Sequence, residues 1–231
     1  MVAKRLDKIG KIKVLGGSSI FSSLDESELA ELSEIVSEKE FRQGDHVFWE
    51  GDPAGYFYVL AAGRIKVSKA SPSGREFVVA FFGPGDIFGE VAVFEDRPYP
   101  ASAQATESTI VLAIDKDRFT KFLSRYPAVA LKIINMLGSR LRDAMGRLRD
   151  LAGERVEQRI AGILVMLSSK FGPELPFTRR EIADMAGSTI ETTIRTMTRF
   201  KEKGIIKSAR GSLTILDKNG LQIIAQGFSQ K

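Results

Sequence analysis

Two interleaved sets of apolar residues, each spaced by seven, run through the middle of this chain: Ala130, Leu137, Ala144 and Leu151, with Ile134, Leu141 and Leu148 between them. A helix gathers such residues into one narrow stripe. A stripe two positions wide in every seven suits pairing with another helix better than packing on a broad surface. Arg140, Arg142, Asp143, Arg147, Arg149 and Asp150 lie off the stripe. The pattern predicts a long helix from about Asp115 to Leu151 that joins two copies in a parallel homodimer. Tyr126-Pro127 is the point where this helix can break. The alternative is a helix that packs the stripe on its own domain.

The chain differs in texture on either side of this helix. From about Glu40 to Ile114 short apolar runs alternate with Gly44-Asp45, Gly51-Asp52-Pro53, Gly63, Gly74, Gly83-Pro84-Gly85-Asp86 and Gly89. Many short strands with closely spaced turn signals argue for an antiparallel sandwich or roll. Ser71-Pro72-Ser73-Gly74 reads as a hairpin turn between two of them. Ahead of the roll, Leu29, Leu32 and Val36 recur at helical spacing, with Ser23 or Asp25 as cap, so a short helix is expected over Asp25–Ser37. The expected division is a sensor roll over 1–114, a dimerisation helix over 115–152 and a third domain over 153–231.

In that third domain, Thr178-Arg179-Arg180-Glu181 forms a capping box: a Thr hydroxyl for the third backbone N–H and a Glu that reaches back. It opens a helix from Arg179 to Met185. Ala186-Gly187-Ser188 makes a tight turn, and Thr189 caps a second helix through about Lys203. Two short helices joined by a glycine-containing turn are the helix-turn-helix signature. Thr192, Ile194 or Met197, and Phe200 suit the inner face of the second helix. Ile190, Glu191, Ile194 and Arg195 are the candidate base-reading residues. An Arg can bond bidentately to guanine, a Glu can accept from cytosine, and an apolar side chain can touch the thymine methyl. A plain i,i+4 ion pair on a solvated face is the alternative for Glu191 and Arg195. Ile205 to Lys207 and Leu213 to Leu216 read as a hairpin wing with the basic tip Ser208 to Ser212. Thr178, Arg179, Ser188, Thr189, Arg199, Lys201, Lys207 and Arg210 are candidate phosphate contacts.

Charge agrees with this division. Residues 1–114 hold 12 Lys and Arg against 17 Asp and Glu; residues 115–231 hold 22 against 12. An acidic front and a basic back place a polyanion at the back alone. There is no cysteine, which excludes disulfides, thiolate zinc sites, iron–sulfur clusters and cysteine nucleophiles, and His46 is the one histidine. A His-based metal cage or a Ser-His-Asp triad would have to be built on His46, so no catalytic or metal site is expected. His46 follows the Gly44-Asp45 turn and reads as a partly exposed strand residue. No apolar run is long enough to span a membrane and the N-terminus lacks a signal-peptide core, so a cytoplasmic protein is expected.

The chain resembles the Crp/Fnr family of bacterial transcription regulators, the cyclic-AMP receptor and fumarate–nitrate types, over almost its whole length. The resemblance rests at the front on Gly63-Arg64-Ile65-Lys66-Val67, Gly85-Asp86-Ile87-Phe88-Gly89-Glu90 and Arg97-Pro98-Tyr99-Pro100-Ala101-Ser102-Ala103. At the back it rests on Glu157-Gln158-Arg159-Ile160, Thr178 to Ala183 and Ile190 to Arg195. It implies an α+β architecture: a jelly-roll of the cyclic-nucleotide-binding kind, a long dimer helix and a winged helix-turn-helix. It implies an allosteric, non-enzymatic regulator with double-stranded DNA, a second copy and RNA polymerase as partners. Glu191 and Arg195 fall on the family's base-reading pair. Ile190 stands where the cyclic-AMP type has Arg, which points to a TTGA-like half-site in a two-fold operator.

The family's effectors match less well. Gly89 and Glu90 match the start of its phosphate cassette, but the Arg-Ser pair that holds a cyclic phosphate is replaced by Tyr99 and Pro100, or by Pro100 and Ala101. Ala144 and Met145 stand where adjacent hydroxyls meet adenine. Gly89, Glu90, Val91, Tyr99, Pro100, Ala101, Ser102, Leu141, Ala144 and Met145 are therefore the expected lining of an effector pocket that does not suit cyclic AMP. Without cysteine the iron–sulfur cluster of the fumarate–nitrate type is excluded. Haem would need His46, a Met, a Tyr or the N-terminal amine as ligand. A haem-, NO- or redox-responsive regulator, or one active without effector, is the alternative. A metal cupin, which shares the roll architecture, needs several His ligands. A regulatory module without DNA contact is at odds with the basic winged segment.

Overall fold

The computed structural model describes residues 6–70, 76–209 and 212–227, with the backbone alone at 149–152, 209 and 212. The Ser71–Gly74 turn, Arg210 and the Leu151 side chain lie outside the described residues. The chain divides into two compact units: 1–70 with 79–141, and 142–231 with 71–78.

The first unit begins with α1 (Lys8–Gly16), a 3₁₀ turn (Ser19–Phe21) and α2 (Glu26–Glu34). Asp25 caps α2, accepting from Glu28 N at 2.9 Å while the Glu28 carboxylate takes the Asp25 N–H at 2.8 Å. The expected helix stops short of Ser37: Val36 opens a strand, paired with Ile114. A β-branched residue with a strand partner leaves the helix because the pleated surface packs it better.

Among the described residues eight strands follow: β1 (Val36–Phe41), β2 (His46–Phe48), β3 (Tyr56–Ala62), β4 (Ile65–Ala70), β5 (Glu76–Phe82), β6 (Ile87–Phe88), β7 (Ser102–Ala105) and β8 (Thr109–Asp115), with α3 (Glu90–Glu95) between β6 and β7. They form two four-stranded sheets, ordered β1-β8-β3-β6 and β2-β7-β4-β5. Phe48, Tyr58, Leu60, Phe82, Phe88 and Tyr99 are buried together in the roll. A second cluster joins Leu15, Phe21 and Leu32 to Phe57, Leu112, Phe119 and Phe122. Those last two belong to α4 (Lys116–Arg125).

The long helix breaks as the proline requires. Tyr126 has φ −123° and ψ 66°, outside the helical region, and Pro127 opens α5 (Pro127–Gly153). The Tyr126 hydroxyl donates to Glu31 Oε2 at 2.8 Å, and Arg125 pairs with the same carboxylate.

The exposed stripe of α5 overlaps the expected one. Val129 and Ile133 are buried in the second cluster, with Met136 and Leu137 packed against it. Leu131, Ile134, Leu141, Met145 and Leu148 are instead 58–67% exposed. Their spacing, with Gly138, alternates three and four. Ile134, Leu141 and Leu148 of the expected stripe are among these exposed residues, whereas Ala130, Leu137 and Ala144, like Gly138, are half-buried.

The second unit holds α6 (Val156–Phe171), β9 (Glu174–Leu175), α7 (Arg179–Ala186), α8 (Ile190–Glu202), β10 (Ile206–Ala209), β11 (Ser212–Ile215) and α9 (Lys218–Ala225). Its sheet has the order β10-β11-β9. Among the described residues no helix is long and apolar enough to cross a membrane.

Candidate nucleic-acid interface and roll site

Local chemistry builds the two-helix motif. The Thr178 hydroxyl accepts from Glu181 N at 3.2 Å, and Glu181 Oε2 takes the Thr178 N–H at 2.7 Å. Gly187 then adopts φ +56°, a left-handed cap that an L side chain resists. Thr189 caps α8, its hydroxyl accepting from Thr192 N at 3.2 Å. Thr193, Thr196, Met197 and Phe200 form the buried face of α8. Thr193 and Thr196 thus take the inward places expected of Thr192 and Ile194, and Ile194 points outward at 43% exposure. Glu191, Ile194 and Arg195 are exposed together, with Ile190 half-buried at their edge.

The candidate phosphate contacts divide by prior engagement. The Thr178 hydroxyl donates to Glu181, and that of Thr189 donates to Thr192. Arg179 Nη2 donates to Ser208 Oγ at 3.0 Å, tying α7 to the wing. Arg199 lies 3.5 Å from the Glu157 carboxylate on α6. Ser188 is half-buried, its N–H bonded to Ala183 O, while Lys201 and Lys207 are exposed. The spacing of the motif gave no sign of Arg159, whose guanidinium reaches Ala186 O and Glu154 O.

The roll site is closed by the chain itself. Gly89 sits at φ +79° where a Cβ would meet Phe48 and Tyr99 at 3.2 and 3.3 Å. Glu90 is 2% exposed. Arg140 Nη1 donates to Glu90 Oε1 at 2.6 Å and Nη2 to Ile87 O at 2.6 Å, with the guanidinium 4.9 Å from the Phe82 ring. Burial pushes the Glu90 carboxyl above its ordinary range, and the nearby Arg140 charge opposes that rise. In the sequence Arg140 stands out only as a charge off the apolar stripe. No local spacing signals its partner, which lies 50 residues away.

The expected pocket lining separates accordingly. Tyr99 is buried, its ring stacked on Phe48 at 3.7 Å and its hydroxyl donated to Tyr56 O. Burial raises its pKa. Ala101 is buried too, and the Ser102 hydroxyl accepts from Glu50 N at 2.9 Å. Val91, Pro100, Leu141 and Met145 are exposed and Ala144 is half-buried. His46 is half-buried at the start of β2, its ring stacked 3.4 Å from Trp49. A cyclic phosphate needs a bidentate cation beside Glu90. Tyr99 is committed to the aromatic core, Arg97 is exposed and Arg140 is already spent on Glu90 and Ile87.

Comparison with known proteins agrees with this anatomy. Residues 38–126 match the cyclic nucleotide-binding domain family, and residues 158–224 match the Crp-like helix-turn-helix domain. The nitrogen fixation regulation protein FixK of Bradyrhizobium diazoefficiens is 32% identical, over 90% of each chain. The CRP-like cAMP-activated global transcriptional regulator of Mycobacterium tuberculosis is 28% identical, over 90% of this chain and 97% of that one. The solved structure of FixK2 from Bradyrhizobium japonicum superposes with a TM-score of 0.73 at 25% identity, covering 81% of this chain and 96% of that one. Fold and motif define a DNA-binding transcription regulator, not an enzyme. The chain belongs to the Crp/Fnr family.

Proposed function

We propose that the chain acts in the cytoplasm as a homodimer on a two-fold operator with TTGA-like half-sites, recruiting RNA polymerase, and that its roll answers to an effector other than cyclic AMP. The observation that carries this reading is the outward face of α8, where Ile190, Glu191, Ile194 and Arg195 stand together over a buried face of Thr193, Thr196, Met197 and Phe200. Arg195 offers a fork to guanine, Glu191 an acceptor to cytosine, and the two isoleucines apolar contact to thymine methyls. The exposed seam of Leu131, Ile134, Leu141, Met145 and Leu148 supports the dimer, because helix pairing removes that apolar area from water. A two-fold dimer sets its half-sites about one helical turn apart.

The Arg140–Glu90 pair favours a second reading, a regulator active without effector, since a cation from the chain's own helix already neutralises the carboxylate. Selecting DNA from a random pool with the purified protein, alongside sedimentation, tests the proposal. A two-fold sequence bound by a dimer, with affinity falling steeply as salt rises, is expected. Leu141→Lys places a charge in the seam and should give monomers. A persistent dimer, or a pool that yields no sequence, overturns the reading.

A further inference from the structure

We infer that Arg159 is a positioning residue that fixes the reading helix relative to the junction between α5 and α6. The inference rests on α8 being the reading helix. Arg159 Nε donates to Ala186 O at 3.0 Å, and Nη1 donates to Glu154 O at 2.7 Å. Ala186 is the last residue of α7, so its carbonyl is among those a helix end leaves unsatisfied, and a cation there also meets the negative end of the helix dipole. Glu154 follows the last residue of α5 and precedes Arg155, the cap of α6. One guanidinium thus spans the junction and the turn of the two-helix motif.

Its neighbours act on the same parts. The Arg155 N–H donates to Gln158 Oε1 at 2.9 Å, closing the start of α6. Glu157, in the first turn of α6, lies 3.5 Å from Arg199 on α8. The first turns of α6 therefore touch the end of α7, the body of α8 and the chain entering from α5. The only covalent route from α5 to the winged segment runs through Glu154 and Arg155. A change in the path of α5 moves the Glu154 carbonyl first, and the rigid fork of Arg159 passes that movement to Ala186.

From Ala186 the path to the reading face is short. Gly187 turns the chain at φ +56°, the Ser188 N–H is held by Ala183 O at 3.0 Å, and Thr189 caps α8. A displacement of Ala186 alters the register of Glu191 and Arg195 in a groove, while the exposed Lys201 and Lys207 keep their charge. Base reading is sensitive to such a shift and phosphate attraction is not. A lysine at 159 retains the charge but not the planar fork, so it cannot hold two carbonyls in fixed relation.

The test uses the full chain and its Arg159→Lys and Arg159→Ala variants. Two quantities are measured: affinity for the DNA that the wild type selects against unrelated DNA, and amide hydrogen exchange over 187–190. For Arg159→Lys, affinity for the selected DNA should fall about tenfold, the scale of one misregistered bidentate contact. Affinity for unrelated DNA should stay within about twofold, because net charge is unchanged. Exchange over 187–190 should rise, and Arg159→Ala should exceed Arg159→Lys in both readouts.

Unchanged discrimination in Arg159→Lys overturns the inference, as does unchanged exchange. Equal loss on both DNAs with a lowered unfolding midpoint also overturns it, because Arg159 would then serve stability alone. Should the wild type select no sequence, the DNA reading fails, and hydrogen exchange still decides whether Arg159 holds the turn.

Discussion

The roll site and the outer face of α8 both carry an Arg and a Glu, and they use them in opposite ways. In the roll, Arg140 and Glu90 are 2.6 Å apart, the carboxylate is buried, and the guanidinium also meets the Ile87 carbonyl and the Phe82 ring. On α8, Glu191 and Arg195 stand one turn apart and exposed. A pair taken out of water must satisfy itself within the fold, since an unmatched buried charge costs several kcal/mol. A pair left in water contributes a few tenths of a kcal/mol to the helix and keeps its donors for a partner. Burial thus divides residues that close a structure from residues left open at its surface.

Breaking the closed pair should have the largest effect. Arg140→Ala leaves the Glu90 carboxylate buried without its cation, and unfolding free energy at neutral pH should fall by about 3 kcal/mol. Burial raises the folded-state pKa of Glu90, so the folded chain holds this proton more tightly than the unfolded chain does. Stability tied to that proton is present in acid and lost as pH rises through the folded value. The cost of Arg140→Ala should therefore shrink as pH is lowered into the carboxylate range. Urea unfolding at neutral and acidic pH measures this, and equal costs at both would dissolve the contrast with α8.

Arg195→Ala should come next, and it acts on binding alone. Loss of a bidentate base contact costs about 1–3 kcal/mol in affinity for the selected operator. Urea midpoints should stay close to the wild type, because the side chain is exposed. A fluorescence anisotropy titration with unchanged operator affinity would remove α8 from the reading role. Lys207→Ala should have the smallest effect. It should weaken binding to every DNA alike and reduce the salt slope by about one. A sequence-dependent loss would move Lys207 from the phosphate contacts to the base readers.

Much of the frame was legible in the residues because it depends on neighbours three or four positions apart. Thr178 with Glu181, the turn at Gly187, the cap at Thr189 and the break at Pro127 each act within one turn of chain. Glycine-bounded apolar runs likewise marked the roll, and a 3–4 periodicity marked α5 as a helix with one exposed apolar face. Spacing alone could not choose between stripes one residue apart. Only the burial of Val129 and Ile133 turned Leu131 outward.

The pairings that shape the two sites are of another kind. Arg140 meets Glu90 across 50 residues, Tyr99 reaches the Tyr56 carbonyl across 43, and Arg159 meets Ala186 across 27. No local period records such a meeting, because it depends on which faces the elements bury when they pack. The sequence by itself determined the order of elements, their caps and turns, and the residue types offered to DNA. The tertiary structure alone decided which arginines are spent inside the fold and which remain at the surface, because desolvation acts on a charge only where packing has put it.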